Sequence, residues 1–243
     1  MEVEAVFSCG PISLADQWLK QCPRVRRVVC LSTSSLYTKL NSAEPRERRL
    51  MAKIKRSEET LKSQCRERGI GLLVLRPTLI YGCGLDNNVS AIARLVRRFR
   101  CFPVAGRASG LRQPVHADDL AAVGLSALKS ESLISMESPI GGGSVLSYRD
   151  MAARVFQAFG LKPRLISIQP SLLAVLAATA SWLPGSDGLN AQFVHRQNLD
   201  QVFDDTVLRQ SLPFTTRPFA PEASDFQIPP ELKRLQPAPS SGL

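Results

Sequence analysis

The feature that most constrains the fold is a short apolar run, residues 27–31 (RVVCL), followed directly by four hydroxyl residues, 32–35 (STSS). A β-branched run between polar turn formers predicts a buried strand of a parallel sheet, here over residues 27–33. In open α/β sheets ligands bind at the carboxyl ends of the strands, so the hydroxyl cluster is a candidate site. Ser and Thr also turn and cap chains, and a purely local role for the cluster is an equal alternative.

Strands and helices are predicted to alternate along the rest of the chain. The clearest patterns are strands over residues 3–8 and 71–77 and a long basic helix over residues 47–67, with Tyr37 and Pro45 in a loop before that helix. Such alternation implies βαβ units and a doubly wound parallel sheet. Further helices are predicted over residues 13–21, 88–100, 118–129 and 148–159.

Composition narrows the choice of partners. The net charge of +10 would permit binding to nucleic acid, an anionic membrane surface or phosphorylated ligands. The basic residues lie along predicted helices with few aromatic residues between them, which is typical of solvated helix faces, so no nucleic-acid partner is expected. The longest apolar run, residues 172–183, falls short of the ~20 residues that span a bilayer and predicts a buried helix, with contact to a membrane surface as the alternative.

Cysteine and histidine usage argues against a disulfide framework and against a metal site. The six cysteines have no CxxC spacing, and the chain has only two histidines. We therefore expect reduced thiols, no metal and, because the first residues lack a signal-peptide pattern, a cytoplasmic protein.

Three segments, taken in order, resemble the extended short-chain dehydrogenase/reductase family of the NAD-dependent epimerase/dehydratase type: residues 28–37, 75–82 and 114–121. The resemblance covers residues 1 to about 215. It implies a Rossmann-like α/β fold with NAD or NADP as cofactor and a small C-terminal substrate-side subdomain. The implied divisions are a partial dinucleotide-binding domain over residues 1–130, a smaller substrate-side region over residues 131–217 and a Pro/Ser-rich, loose tail over residues 218–243.

The chain departs from the family in its phosphate-binding motif. Family members open with a G-x-x-G-x-x-G turn that holds the dinucleotide pyrophosphate at a helix N-terminus. No such motif occurs here, and the only glycine run, residues 141–143, lies far downstream. The Rossmann-like fold is therefore expected to be truncated at its N-terminus, as a shortened protein, through a misassigned start or as a fragment, with very weak or no dinucleotide affinity.

A second departure concerns proton transfer. The family pairs a tyrosine with a lysine four residues later on one helix face, where the ammonium lowers the phenol pKa for exchange with a substrate hydroxyl or carbonyl. The matching positions here are Met51 and Lys55. A thioether transfers no proton, so the acid/base is expected to be missing, unless Tyr37 reaches the site from its loop.

The resemblance also assigns individual site residues. Thr33 matches the catalytic Ser/Thr and Lys55 the catalytic lysine that binds the nicotinamide ribose; their alternative roles are strand termination and a solvated helix lysine. Arg112 matches an arginine that contacts the substrate diphosphate, or is a surface residue. The predicted cofactor-binding residues are Ser8, Cys9, Gly10, Ser32, Lys55, Pro77 and Ile80.

Two functions follow from these residues. One is an NAD(P)-dependent epimerase, dehydratase or oxidoreductase that acts on a small-molecule substrate, a nucleotide sugar or a similar alcohol. The other is a non-catalytic binding or scaffold protein of the same fold, favoured by Met51 and by the missing glycine-rich turn. Whether the chain is an enzyme stays open on sequence alone, and a homodimer is compatible with either function.

Overall fold

The computed structural model describes residues 3–130, 135–174 and 191–233. Short 3-10 turns occur at Ile12–Leu14 and Ala223–Phe226. The strands in chain order are β1 Ala5–Ser8, β2 Arg27–Leu31, β3 Gly71–Pro77, β4 Ile80–Tyr81, β5 Phe102–Ala105, β6 Leu111–Arg112, β7 Val115–His116, β8 Met136–Ile140, β9 Leu146–Ser147 and β10 Leu165–Ile168. The helices are α1 Ala15–Gln21, α2 Ser35–Lys39, α3 Pro45–Glu67, α4 Val89–Phe99, α5 Ala117–Lys129, α6 Tyr148–Ala158, α7 Ala191–Arg196, α8 Thr206–Ser211 and α9 Pro230–Lys233.

The chain divides into two compact units and passes back and forth between them. The first unit comprises Met1–Thr78, Gln113–Ser144 and Gln201–Arg217, and the second comprises the remaining three segments. The predicted functional division at residues 130 and 217 rests on the resemblance and stays a prediction.

The first unit is built on a parallel sheet in the order β1-β2-β3-β8. Successive side chains of a strand face opposite sides, and here each side is covered by helices. On one side Val28 and Val74 pack against Leu61 of α3. On the other side Phe7 lies against Gly124 of α5, where a Cβ would come within 2.3 Å of the Phe7 ring. The prediction of a doubly wound α/β sheet is therefore confirmed.

Two local predictions before α3 are wrong. Tyr37 lies on the short helix α2 and not in a loop, and Pro45 is the first residue of α3. Proline suits this position because the first N–H groups of a helix have no partner within the helix. The predicted strand over residues 27–33 ends at Leu31, so Ser32 and Thr33 follow the strand.

The second unit has two small sheets. Strands β5 and β10 pair in parallel, and β6 and β9 pair antiparallel. Its core is an apolar cluster in which α4 and α6 meet β5, with Val96, Phe102 and Phe156 almost fully buried. This unit therefore has its own hydrophobic core.

The expectation of a loose tail is wrong for residues 218–233, the described part of that segment. Phe219 is fully buried, with its ring edge-on to Tyr81 at a centroid distance of 4.9 Å. Arg154 donates a hydrogen bond of 2.6 Å to the Phe219 carbonyl. A single buried phenylalanine contributes on the order of 2–3 kcal/mol, so Phe219 fixes the chain at this point of the segment.

No helix within the described ranges is both long enough and apolar enough to cross a membrane. The predicted helix over residues 172–183 lies mostly outside the described residues.

Candidate functional site

The carboxyl ends of three neighbouring strands bring most of the predicted site residues to one edge of the sheet. Ser8, the last residue of β1, lies opposite Cys30 of β2. The backbone N–H of Ser32 donates to the Leu75 carbonyl at 2.8 Å, just before the end of β3. Ser8, Cys9, Gly10, Ser32, Thr33 and Pro77 therefore follow or end adjacent parallel strands.

The turn after β1 leaves room for a ligand. A Cβ added at Gly10 would meet nothing within 4 Å, and Cys9 is exposed. Burial raises the pKa of the Cys9 thiol, so this sulfur stays protonated near neutral pH and is a poor nucleophile. The turn therefore offers backbone groups and open space, not covalent chemistry.

The two hydroxyls after β2 have different partners. Ser32 Oγ donates a hydrogen bond to Glu58 Oε1, on α3. Thr33 Oγ1 accepts from the Ser35 N–H at 3.1 Å, which turns the chain into α2. The local role of the cluster is thus present in the structure. The Thr33 hydroxyl proton is still a donor for another group, and its catalytic role stays a prediction.

Helix α3 carries the Met51 and Lys55 positions along one side. Met51 is 4% exposed and Glu58 is 1% exposed. Lys55 lies four residues after Met51 and three before Glu58, so all three are on one side of the helix. Its ammonium extends into solvent, 4.0 Å from Glu59 Oε1. The thioether at the tyrosine position thus faces the protein interior, and the ammonium is solvated. Lys55 as a catalytic or cofactor-binding residue stays a prediction.

No sequence motif predicted the ionic network beside this edge, which is centred on Arg76 of β3 and includes the almost fully buried Glu58. Its guanidinium binds both Glu58 oxygens, at 3.2 and 2.5 Å, and Glu137 Oε2 at 3.0 Å. It also donates to the Tyr37 hydroxyl at 2.8 Å, and Lys62 contacts Glu137 at 2.5 Å. The Arg76 network consists of Ser32, Tyr37, Glu58, Lys62, Arg76 and Glu137.

A sequence signal for this network exists. Arg76 interrupts an otherwise apolar strand, and Glu58 lies seven residues after Met51 on the buried side of α3. Buried charges are stable only when paired, so each position required a partner of opposite charge. The pairing itself joins residues 18 positions apart and is not readable from either segment alone.

The network shifts the pKa values of Arg76 and Glu137. Burial lowers the pKa of Arg76, but hydrogen bonds with Glu58 and Tyr37 outweigh burial, and the net shift is upward. Partial burial raises the pKa of Glu137, yet the hydrogen bond from Lys62 and the charge of Arg76 bring it below its ordinary value. Both residues are therefore held in their charged forms.

The other two predicted residues, Ile80 and Arg112, belong to the second unit. Ile80 is the first residue of β4 and is partly buried. Arg112 is 3% exposed, so the alternative of a surface residue is wrong. Its guanidinium donates to the Leu199 and Arg196 carbonyls at 2.7 and 2.6 Å. Burial lowers the Arg112 pKa to about 10, and its contact with a diphosphate stays a prediction.

Among the described residues, the glycine run does not form a phosphate cradle for a dinucleotide. The glycine run 141–143 follows β8, but a Cβ at Gly142 would lie 1.8 Å from the Pro114 carbonyl oxygen and one at Gly143 2.4 Å from that of Thr216. These glycines accommodate neighbouring backbone, not a ligand. Since the sequence has no other glycine-rich turn at a strand–helix junction, we assign no reaction step to NAD or NADP.

No cluster of three or more His, Cys, Asp or Glu side chains suited to a metal ion occurs within the described residues.

Comparison with known proteins decides the fold. No protein-family model matches the chain, and no curated protein matches it. Among solved structures, UDP-N-acetylglucosamine 4-epimerase from Bacillus cereus is 18% identical, with 97% of this chain and 79% of that chain aligned at a TM-score of 0.67. MoeE5, solved with UDP-glucose and NAD, is also 18% identical, over 96% of this chain and 81% of its own, at a TM-score of 0.59.

The chain has the fold of nucleotide-sugar epimerases. UDP-glucose 4-epimerase from Thermotoga maritima, solved with UDP-glucose, supports the same conclusion at 14% identity, 96% and 78% coverage and a TM-score of 0.58. The Rossmann-like prediction is thereby confirmed. Identities this low concern the fold alone, so chemistry has to be argued from the site.

Proposed function

We propose that this chain binds a nucleotide sugar or a similar alcohol at the carboxyl edge of the β1-β2-β3 sheet. It is an epimerase/dehydratase-like protein in which proton transfer by a Tyr–Lys pair has been lost. The substrate class comes from structural relatives that were solved with UDP-glucose. The location comes from the strand ends of this chain.

One observation carries the proposal. The open turn at Gly10 and the hydroxyls of Ser32 and Thr33 follow adjacent strands. Met51, which matches the family's tyrosine position by resemblance, is buried on α3. Hydroxyl and backbone groups at such an edge hydrogen-bond sugar oxygens. A buried thioether neither gives nor takes a proton, so binding is retained while turnover is not.

Calorimetric titration of the full chain with UDP-glucose tests binding. We expect saturable binding with a Kd on the order of micromolar to millimolar, the range of enzyme–substrate affinities. Thr33→Val removes the hydroxyl at nearly constant shape and should weaken binding about fivefold, the value of one hydrogen bond. Thr60→Val is the matched control, because Thr60 is exposed on α3 and its hydroxyl donates a hydrogen bond to the Arg56 carbonyl. Equal affinities for both variants would remove Thr33 from the site.

Two further measurements test the loss of catalysis. We expect no UDP-glucose to UDP-galactose conversion in the presence of NAD, because position 51 provides no acid/base. We also expect no micromolar NADH binding by cofactor fluorescence, because no glycine-rich turn holds the pyrophosphate. Rapid conversion, or tight NADH binding, contradicts the corresponding half of the proposal.

The alternative of a scaffold protein that binds no nucleotide sugar is supported by Arg112. All three described hydrogen bonds of its guanidinium go to backbone carbonyls, as expected of an arginine that fastens loops together. Absence of UDP-glucose binding by the wild-type chain would favour this alternative.

A further inference from the structure

Tyr37 is an aromatic residue held in place at the surface. It lies on α2, four residues after Thr33, and is 46% exposed. Its ring lies 5.0 Å from that of Phe203 and 5.2 Å from the guanidinium carbon of Arg76. Contacts on the ring and on the hydroxyl together restrict the side chain despite its exposure.

The partner of the Tyr37 hydroxyl determines where its proton points. A guanidinium has five N–H donors and no acceptor, so in the 2.8 Å contact Arg76 donates and the phenol oxygen accepts. The phenol proton must therefore be directed to a different group. Within the described part of the chain, Tyr37 has no other side-chain hydrogen bond, so this donor is available to a ligand.

The orientation of Arg76 is itself fixed. Glu58 binds the guanidinium through both carboxylate oxygens and also accepts from Ser32. A bidentate carboxylate pair defines the plane of the guanidinium, so the donor facing Tyr37 has a defined direction. Ser32, Glu58, Arg76 and Tyr37 thus form a continuous chain from the end of β2 to a half-exposed phenol.

We propose that Tyr37 donates a hydrogen bond to a hydroxyl or carbonyl oxygen on the sugar of the bound ligand, with Arg76 and Glu58 as positioning residues. This inference rests on the proposed function, because it names a contact within the same site. The sequence pattern directs attention to position 51 of α3, whereas the structure presents a phenol from α2.

Tyrosine labelled with ¹³C at Cζ gives a direct test, because the chain has only three tyrosines. Each resonance is assigned by a Tyr→Phe variant and followed by NMR during titration with UDP-glucose and, separately, with UDP. Tyr81 and Tyr148, 2% and 4% exposed, are internal controls. We expect the Tyr37 resonance alone to shift saturably with UDP-glucose, and by much less with UDP. An equal shift with both ligands overturns the assignment to the sugar.

Two variants distinguish the residue that contacts the ligand, Tyr37, from a residue that only positions it, Glu58. Tyr37→Phe keeps the ring contacts, removes the hydroxyl and should weaken UDP-glucose binding about fivefold. Glu58→Gln should move the Tyr37 resonance in the ligand-free protein and leave the other two in place. UDP-glucose binding without a Tyr37 shift overturns this inference and leaves the proposed function intact. No calorimetric binding of UDP-glucose to the wild-type chain overturns both.

Discussion

Two arginines with mostly buried side chains, one in each unit, differ in how their positive charge is stabilised. Arg76 is surrounded by the carboxylates of Glu58 and Glu137. Arg112 forms no ion pair among the described residues and donates to backbone carbonyls, with the Tyr148 ring 5.3 Å away. Both guanidinium groups are hydrogen-bonded, but only one is neutralised.

The pKa values of the two arginines move in opposite directions. Burial lowers both pKa values. At Arg76 the hydrogen bonds with Glu58 and Tyr37 reverse the shift, whereas at Arg112 it persists and brings the pKa to about 10. A carbonyl satisfies a donor without supplying a negative charge. Removing the Arg76 side chain therefore leaves the buried carboxylate of Glu58 without its counter-charge, whereas removing Arg112 leaves only neutral carbonyls without a donor.

Arg76→Met should therefore have the largest effect on stability. It leaves Glu58, which is 1% exposed, without its counter-charge. Breaking a buried ion pair from one side costs about 3–5 kcal/mol. Urea unfolding followed by circular dichroism measures the loss, provided that the transition is cooperative.

A double-mutant cycle isolates the pair. Glu58→Gln combined with Arg76→Met removes both charges, and we expect the double variant to recover part of the stability lost in the single Arg76→Met change. Additive losses would mean that the two side chains are not coupled, and would also weaken the positioning role of Glu58.

The fold was predictable where the signal is local. The strand over residues 71–77 is predicted to the residue by its continuous apolar run. The long basic helix before it is predicted within two residues, with Gly69 marking its end. Parallel strands then place Gly10, Thr33 and Pro77 at one edge by topology alone. This part of the candidate site needed no side-chain information.

What the sequence did not reveal depends on contacts between distant residues. The burial of Phe219 requires a partner, Tyr81, that lies far away in the chain. The hydrogen bonds of Arg112 reach 84 and 87 residues along the sequence. Composition predicted a loose tail because it does not describe what a folded chain brings alongside. The carbonyls that Arg112 binds are likewise set by the fold and not by a local motif.

Arg112→Met tests the arginine that has only carbonyl partners and should reduce stability less than Arg76→Met does. Loss of the guanidinium leaves these carbonyls without donors, which costs about 1–3 kcal/mol of folding stability. It leaves no buried charge unpaired. Arg94→Met in the same unit is the matched control, because Arg94 is exposed on α4 and its replacement should change stability by less than about 0.5 kcal/mol. A loss at Arg112 as large as at Arg76 would show that charge compensation is not what distinguishes the two sites.

Acid titration of Glu137→Gln tests the smallest effect. Lys62 and Arg76 lower the folded-state pKa of Glu137 below 4.5, so its contribution is complete above that pH and is lost as the pH falls through the folded value. The Glu137 side chain is 36% exposed, so solvent screening limits the contribution to less than about 1 kcal/mol. We expect the difference in Tm between wild type and Glu137→Gln to shrink below pH 4.5. A Glu137 difference that is unchanged at pH 3 would mean that its ionised form does not stabilise the Arg76 network.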